Sequence, residues 1–371
     1  QPADPLDLWE TDPFEPRMVE GPHGKEIVAR GACDDKGQFM TFVEGLRAWK
    51  AATGEIPLPI TVLIEGEEES GSKSLAPFLA ANKDELSASL ALVCDTGMWS
   101  RDTPGITTML RGMLYEEIIV TAANRDLHSG MYGGAAKNPI RILAGIIADL
   151  HDDDGRVMVP GFYDGVPELS DEVKSQWDSL GFSAENFLGE VGLKEPAGER
   201  DRTALEQIWS RPTCDANGII GGYTGAGSKT VIASKASAKI SFRLVGTQDP
   251  QKIQDAFRAF VRERVPADCK VEFLGHSKSP ALAIDMTRPE LQKAAGALEA
   301  EFGKAPAMMG CGGSIPIVGQ FRTSLDMDSI LIGFGLDDDK IHSPNEKYDL
   351  ASFKHGIRSW ARVIGALAGR E

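Results

Sequence analysis

The 371-residue sequence has few cysteines, few histidines and no long apolar run. Its five cysteines are an odd number without a paired Cys-x-x-Cys spacing, which favours reduced thiols and a cytoplasmic protein over a disulfide framework. No apolar stretch reaches the roughly 18 residues that a membrane-spanning helix needs, so the sequence predicts no membrane span.

Positive charge is also scarce, because 39 Lys and Arg stand against 55 Asp and Glu, a net charge of -16. An acidic surface repels nucleic-acid phosphates and anionic lipids, so we expect neither nucleic acid nor a membrane as partner. Solubility alone would also explain the acidity. The length and the 42% hydrophobic content predict a globular protein of two or three domains.

Apolar spacing near the amino end predicts an α/β domain. The predicted order is helix 39–52, strand 60–64, helix 74–82 and strand 90–93. This alternation predicts a mainly parallel sheet flanked by helices, in which ligands collect at the carboxyl ends of the strands. Four acidic residues follow apolar stretches where that rule places a site: Asp34, Glu68, Glu69 and Asp95.

The middle of the chain predicts a second, α+β domain of ferredoxin-like type. Its predicted elements are strand 113–122, helix 138–150, strand 236–245, helix 250–265 and strand 269–274. Helices 291–302 and 350–368 and strand 330–333 would complete the first domain. We therefore predict a first domain of residues 1–106 and 280–371 and an inserted domain of residues 107–279. The role of the excursion 159–213 stays open.

A metal site is the chemistry that the acidic residues and His342 favour. Asp34, Glu69, Asp95 and His342 offer oxygen donors and one imidazole, which suit zinc, manganese or cobalt. Of the adjacent pair, one glutamate would ligate while Glu68 takes a proton from water. Taken alone, the run of glutamates at 65–69 is more typical of a solvated acidic loop.

Three further segments present groups for a substrate. His128 lies in a Gly-flanked loop, where it could stabilise an oxyanion or serve only the structure. The segment 310–316 offers backbone N–H groups to a carboxylate, but it fails as a phosphate loop because no Lys follows and no helix pattern starts there. Arg243 could bind a carboxylate with two hydrogen bonds or be an ordinary charge on a sheet surface.

Six motifs together resemble the carnosinase-type dipeptidases of the co-catalytic zinc metallopeptidase family, which also includes aminoacylases and acetylornithine and succinyl-diaminopimelate deacylases. The match runs essentially from end to end, and although each motif is weak alone, six in order are specific. The motifs are Asp-Asp-Lys-Gly at 34–37, Glu-Glu-Ser-Gly-Ser at 68–72, Asp-Thr-Gly at 95–97, His-Ser-Gly-x-Tyr-Gly-Gly at 128–134, Gly-Gly-Ser-Ile-Pro at 312–316 and His-Ser-Pro-Asn-Glu at 342–346.

This resemblance implies a zinc-exopeptidase-like catalytic domain with an inserted lid and dimerisation domain. It implies two divalent metal ions, with zinc expected and manganese or cobalt as alternatives, both bound by Asp34. Glu69 and His342 would complete one metal site and Asp95 would serve the other. Glu68 would be the general base, and the family's cis peptide bond would follow Asp34.

The resemblance also assigns groups to the substrate and to a partner subunit. His128 would be lent to the active site of the other subunit of a homodimer. The groups expected to hold the carboxyl end of the substrate are Arg243, Asn217, Gly312, Gly313 and Ser314. The expected reaction is hydrolysis of the amide bond of dipeptides, or of similar short peptides with a free carboxylate, by a metal-bridging water.

One departure limits this expectation. The family motif Gly-His-Tyr-Asp-Val-Gln-Pro would run directly into Gln1-Pro2, so its His ligand and its Asp are absent from the sequence. We therefore expect this polypeptide alone to be inactive or to bind metal poorly. Two alternatives stay open: an N-acyl amino acid deacylase of the same family, and a catalytically silent chain that serves dimerisation or regulation.

Overall fold

The computed structural model describes residues 1–313 and 315–370. The strands are β1 Arg17–Gly21, β2 Gly24–Val28, β3 Ala91–Val93, β4 Gly105–Leu110, β5 Gly112–Thr121, β6 Leu127–His128, β7 Thr213–Gly221, β8 Val231–Ile232, β9 Lys235–Leu244, β10 Lys270–Ser279, β11 Leu282–Ala283, β12 Ala307–Cys311, β13 Ser329–Leu331 and β14 Lys347–Asp349. The helices are α1 Lys36–Thr53, α2 Leu75–Ala81, α3 Lys83–Leu86, α4 Ser129–Tyr132, α5 Pro139–Ala148, α6 Asp171–Ser179, α7 Ala184–Gly189, α8 Ala204–Trp209, α9 Pro250–Arg264, α10 Pro289–Phe302, α11 Pro316–Leu325 and α12 Leu350–Leu367. No helix in this described part of the chain is long and apolar enough to cross a membrane.

The chain divides into two compact units. The first unit comprises Gln1–Thr108, Ile284–Met309 and Ile317–Glu371, and the second comprises Met109–Ala283 and Gly310–Pro316. The predicted domain boundaries, 1–106 with 280–371 and 107–279, stay a prediction. In this division the segment Gly310–Pro316 groups with the second unit.

Helices α1 and α10 each pack against α12 in the first unit. The buried side chains of α12 include Trp360, Val363 and Ile364, whose spacing gives one apolar face. Gly45 lets α1 approach α12 closely, because a Cβ atom there would lie 3.2 Å from the Ala361 backbone nitrogen. In the sheet of this unit β13 pairs parallel with β3 and antiparallel with β4, while β1, β2 and β14 form a separate antiparallel sheet.

The second unit contains an antiparallel sheet with the order β10-β5-β9-β7. Along the chain its elements follow the order β5-α5-β7-β9-α9-β10, which is the ferredoxin-like arrangement. Alternate residues of β5 and β9 are buried, and they form one core with residues of α5 and α9. The predicted α/β class with an inserted ferredoxin-like α+β element is confirmed.

Most predicted elements are present, but two expectations are wrong. Residues 60–64 form no strand, and the side chains of Val62 and Ile64 are 51% and 69% exposed. An apolar run becomes a strand only where a neighbouring strand pairs with it, and none within the described residues does so. A helix does begin at the end of the segment 310–316, namely α11. The excursion 159–213 contains α6, α7 and α8.

Candidate metal centre

Three predicted ligands meet in the first unit. The Nε2 atom of His342 lies 2.8 Å from Oδ2 of Asp34 and 3.0 Å from Oε1 of Glu69. One potential ligand atom from each of the three residues lies within 4.8 Å of the other two. The fold therefore brings together side chains that are up to 308 residues apart in the sequence.

Asp34 is positioned by the buried carboxylate of Glu346. Its Oε1 atom accepts hydrogen bonds from the backbone N–H groups of Cys33 and Asp34, both at 2.9 Å. Its Oε2 atom accepts from the Gly31 N–H at 2.9 Å and from Nη1 of Arg30 at 2.7 Å. The turn that carries Asp34 is thereby fixed to the segment that follows His342. The expected cis peptide bond between Asp34 and Asp35 is present.

His342 lies in a tight loop with left-handed backbone conformations. Lys340, His342 and Asn345 have φ angles of 55°, 63° and 61°. Side chains with a Cβ atom rarely adopt this region, so the loop needs contacts that hold it. The Asn345 side chain supplies two, because its Oδ1 accepts from the Glu10 N–H at 2.9 Å and its Nδ2 donates to the Leu8 carbonyl at 2.9 Å.

Glu69 lies in a short 3-10 helix, Glu68–Ser70. Gly71 ends this turn with a φ of 88°, a conformation that glycine adopts without steric cost. The Glu67 carboxylate accepts a hydrogen bond from the Ser74 N–H at 2.9 Å and so closes the loop. The side chain of Gln1 donates to Oε2 of Glu69 at 2.7 Å.

The carboxylates in and around this cluster shift one another's pKa values. Burial, a shared hydrogen bond with Glu69 and the charge of Asp95 raise the pKa of Asp34 to about 7. Burial and the charges of Asp95, Asp34 and Glu68 raise the pKa of Asp35 to about 9. Partial burial raises the pKa of Glu69, but hydrogen bonds with Asp34, Gln1 and His342 outweigh it and leave that pKa lowered.

Asp95 and Glu68 border the cluster without joining its three ligand atoms. Burial, and then the charge of Glu69, raise the pKa of Asp95. Burial, and then the charges of Asp95 and Glu69, raise the pKa of Glu68. Both side chains therefore lie in the same negative field as Asp34 and Glu69.

The donor set fits a divalent metal ion. Two carboxylates and one imidazole are ligands that zinc and manganese accept. The buried Oδ1 atom of Asp35 has no hydrogen-bond partner among the described residues, and a bound cation nearby would stabilise it. A cation would offset the burial and the carboxylate repulsion that together raise the pKa of Asp34 and of Asp35.

His128 lies in the second unit, at the end of β6. Its side chain is exposed, and its Nδ1 accepts a hydrogen bond from the Gly130 N–H at 3.0 Å. Because Nδ1 is the acceptor, the neutral ring carries its proton on Nε2 and presents an N–H donor there.

The predicted carboxylate-binding residues also belong to the second unit, together with one that sequence reasoning missed. The missed residue is Arg111, whose Nε donates to the Gly312 carbonyl at 3.1 Å. Burial and the nearby positive charge of Arg243 lower the pKa of Arg111 to about 10, so two guanidinium groups lie close together. Asn217 is exposed at a β-bulge of β7.

The glycine loop is described only in part. A Cβ atom on Gly312 would lie 3.0 Å from Nη2 of Arg111, whereas the nearest atom to one on Gly313 would be 3.7 Å away. Ser314 lies outside the described residues.

The residues missed by sequence reasoning are Glu346, Asp35 and Arg111. Asp35 lies in the Asp-Asp-Lys-Gly motif and Glu346 in the His-Ser-Pro-Asn-Glu motif. Their position in motifs that contain predicted ligands was the available signal. No signal in the sequence pointed to Arg111.

Comparisons with known proteins match nearly the whole chain to one family of peptidases. A family model described as peptidase family M20/M25/M40 matches residues 1–366. The chain is 32% identical to the Cys-Gly metallodipeptidase dug1 of Schizosaccharomyces pombe over 99% of its own length and 78% of that protein. It is 28% identical to the human Beta-Ala-His dipeptidase over 99% of its length and 73% of that protein. The solved structure of the M20 family metallo-carboxypeptidase Sso-CP2 from Sulfolobus solfataricus matches with a TM-score of 0.84 and 28% identity, covering 99% of this chain and 83% of the other.

Proposed function

Because the chain belongs to peptidase family M20/M25/M40, we propose that it is a metallodipeptidase that hydrolyses the amide bond of dipeptides or similar short peptides with a free carboxylate. The observation that carries this proposal is the convergence of Asp34, Glu69 and His342. The metallodipeptidases among its relatives support the substrate class.

Two divalent metal ions, with zinc expected and manganese or cobalt as alternatives, form part of the proposal. Asp34, Glu69 and His342 would hold one ion, and Asp34 and Asp95 would contribute to the other. A divalent ion bound here would lower the pKa of water and polarise a carbonyl oxygen. The support is the donor chemistry and the unpartnered Asp35 oxygen.

Proton transfer is assigned to Glu68. Glu68 is next to Glu69 in the same 3-10 helix and is not one of the three clustered residues, and burial with the charges of Asp95 and Glu69 raises its pKa, which supports this assignment. A carboxylate in that position can take a proton from water and return it to the leaving amine. The exposed Nε2–H of His128 is the proposed donor to the developing oxyanion.

The carboxyl end of the substrate is assigned to Arg243, Asn217 and the loop of Gly312, Gly313 and Ser314. Arg111 joins this set because it lies two residues from Met113, the cross-strand partner of Arg243, and the positive charge of Arg243 acts with burial to lower its pKa. Two guanidinium groups attract a carboxylate strongly and bind it with directed hydrogen bonds.

The assembly and location are proposed from the family resemblance and from the cysteines. We propose a homodimer in which His128 serves the partner subunit's active site. The five free cysteines support a cytoplasmic location. The expectation that this polypeptide alone is inactive also stays a prediction, and the relatives' near end-to-end match gives it no support.

Metal content and turnover on a panel of dipeptides test the proposed function. Glu68→Ala should abolish hydrolysis while the protein retains metal, whereas Asp34→Ala should lose both. If Glu68→Ala retains near-normal turnover, Glu68 is not the general base. N-acyl amino acids in the same panel separate a dipeptidase from a deacylase, since only the dipeptidase requires a free amino group on the acyl part of the substrate.

A further inference from the structure

A cationic cleft lies in the first unit between the β1–β2 turn and the first part of α12. Its volume is about 310 Å³. Its charged and titratable lining residues are Lys25, Lys354, Arg358, His23 and His355. None of these residues belongs to the metal cluster or to the proposed substrate-binding groups. In a chain of net charge -16, such a concentration of basic side chains needs an explanation.

The spacing of residues along α12 builds one wall of the cleft. Leu350, Lys354 and Arg358 follow one another at intervals of four, so they lie on the same face of the helix. The opposite wall is the β1–β2 hairpin, which contributes His23 from its turn and Lys25 from the start of β2. Two elements distant in sequence thus direct cationic side chains toward one volume.

Only part of this positive charge is neutralised by the protein itself. Nε of Arg358 donates to Oε1 of Glu301 at 2.6 Å, and Nδ1 of His355 lies 2.9 Å from the same oxygen. Lys25 and Lys354 are exposed and form no ion pair within residues 1–313 and 315–370. Of the three fixed cations that line the cleft, only Arg358 has a salt bridge within the described residues, to Glu301, which also pairs with Arg362. Glu20 is the cross-strand neighbour of Lys25 but forms no salt bridge with it.

The amino end of α12 adds to the positive electrostatic potential in the cleft. Its N-cap residue, Asp349, makes no side-chain capping bond. The carboxylate of Asp349 instead accepts hydrogen bonds from Lys347 at 2.9 Å and from Arg101 at 3.0 Å. The positive end of an 18-residue helix therefore lies at Leu350 and Ala351, which line the cleft.

We propose that this cleft binds a phosphate dianion, either free or as the monoester of a small metabolite. Two lysines without a salt-bridge partner among the described residues suit the charge of a dianion better than that of a single carboxylate. The helix end and Arg358 supply the N–H donors that phosphate oxygens prefer. The site is independent of the proposed hydrolysis, because it shares no residue with it.

Calorimetric titration of the metal-stripped protein at constant ionic strength tests the proposal, with inorganic phosphate and glycerol phosphate as probes. The test variant is Lys25→Gln with Lys354→Gln, which removes two exposed lysines of the cleft. The matched control is Lys50→Gln with Lys83→Gln, which removes two exposed lysines of the same unit elsewhere. We expect about tenfold weaker phosphate binding in the test variant and less than about a twofold change in the control.

Tighter binding of glycerol phosphate than of inorganic phosphate would support a monoester as the ligand, and the reverse order would support free phosphate. Absence of binding by both probes would overturn the proposal. Equal weakening in the test and control variants would also overturn it, since the effect would then be one of net charge alone.

Discussion

The buried carboxylate of Glu346 gives the sharpest stability prediction. It accepts four hydrogen bonds, two on each oxygen, from Arg30 and from the N–H groups of Gly31, Cys33 and Asp34. Glu346→Gln keeps the size of the side chain but leaves one acceptor oxygen. In either orientation of the amide, two of the four donors then face an NH₂ group and lose their partner.

A hydrogen bond to a charged group contributes about 1.5–3 kcal/mol, so the loss of two predicts a decrease of about 3–6 kcal/mol in the free energy of unfolding. The pair with Arg30 is buried, which places the cost near that of breaking a buried ion pair, about 3–5 kcal/mol. Urea unfolding with an unchanged m-value measures the difference.

Glu299→Gln is the control for this prediction, because Glu299 is exposed on α10 and its loss should cost less than about 0.5 kcal/mol. A loss below about 1 kcal/mol for Glu346→Gln would refute the reasoning, since the four contacts would then not hold the turn that carries Asp34.

Three further predictions concern other parts of the molecule. Lys347→Met should lower the free energy of unfolding by about 3–5 kcal/mol, because Nζ of Lys347 lies 2.7 Å from Oδ1 of the fully buried Asp339. A decrease below about 1 kcal/mol, measured by urea unfolding, would contradict this prediction. Arg111→Met should raise KM for dipeptides about tenfold or more and leave KM for the carboxyl-amidated forms nearly unchanged, and an equal change for both forms would exclude carboxylate binding by Arg111. Hydrogen bonds from Arg202 lower the pKa of Glu168 below its ordinary 4.5, so this residue contributes stability above pH 4.5 that is lost as the pH falls through the lower folded value. Glu168→Gln should therefore flatten the fall of Tm on acidification, and an unchanged profile would count against the pair.

Helices with clear apolar periodicity could be predicted from the sequence, whereas a strand that depends on pairing with another strand could not. Helix α12 has apolar residues at helical spacing over five turns, and its bounds were predicted within one residue. Residues 60–64 have the composition of a buried strand, but that pattern cannot show whether another strand pairs with it. The helices of the excursion were missed although Ser170 and Thr203 cap α6 and α8, and Thr203 and Glu206 form a capping box.

The residues of the candidate site could also be predicted only in part. The ligands Asp34, Glu69 and His342 were proposed from residue type and from motifs in order, and the structure places them together. The role of Glu346 could not be predicted, because its four partners lie 312 to 316 residues away in the sequence. Arg111 has no local motif, and only its proximity to Arg243 marks it.

Equilibrium titration of the metal-stripped protein with zinc or manganese, in parallel with dipeptide hydrolysis, tests the central claim most directly. We predict that His342→Ala and Glu69→Gln each weaken metal binding by at least about tenfold, since each removes one of three proposed protein ligands of one ion. Exposed Glu299→Gln should leave the affinity unchanged. Metal affinity that is the same in the wild type, His342→Ala and Glu69→Gln would contradict the assignment of the metal centre.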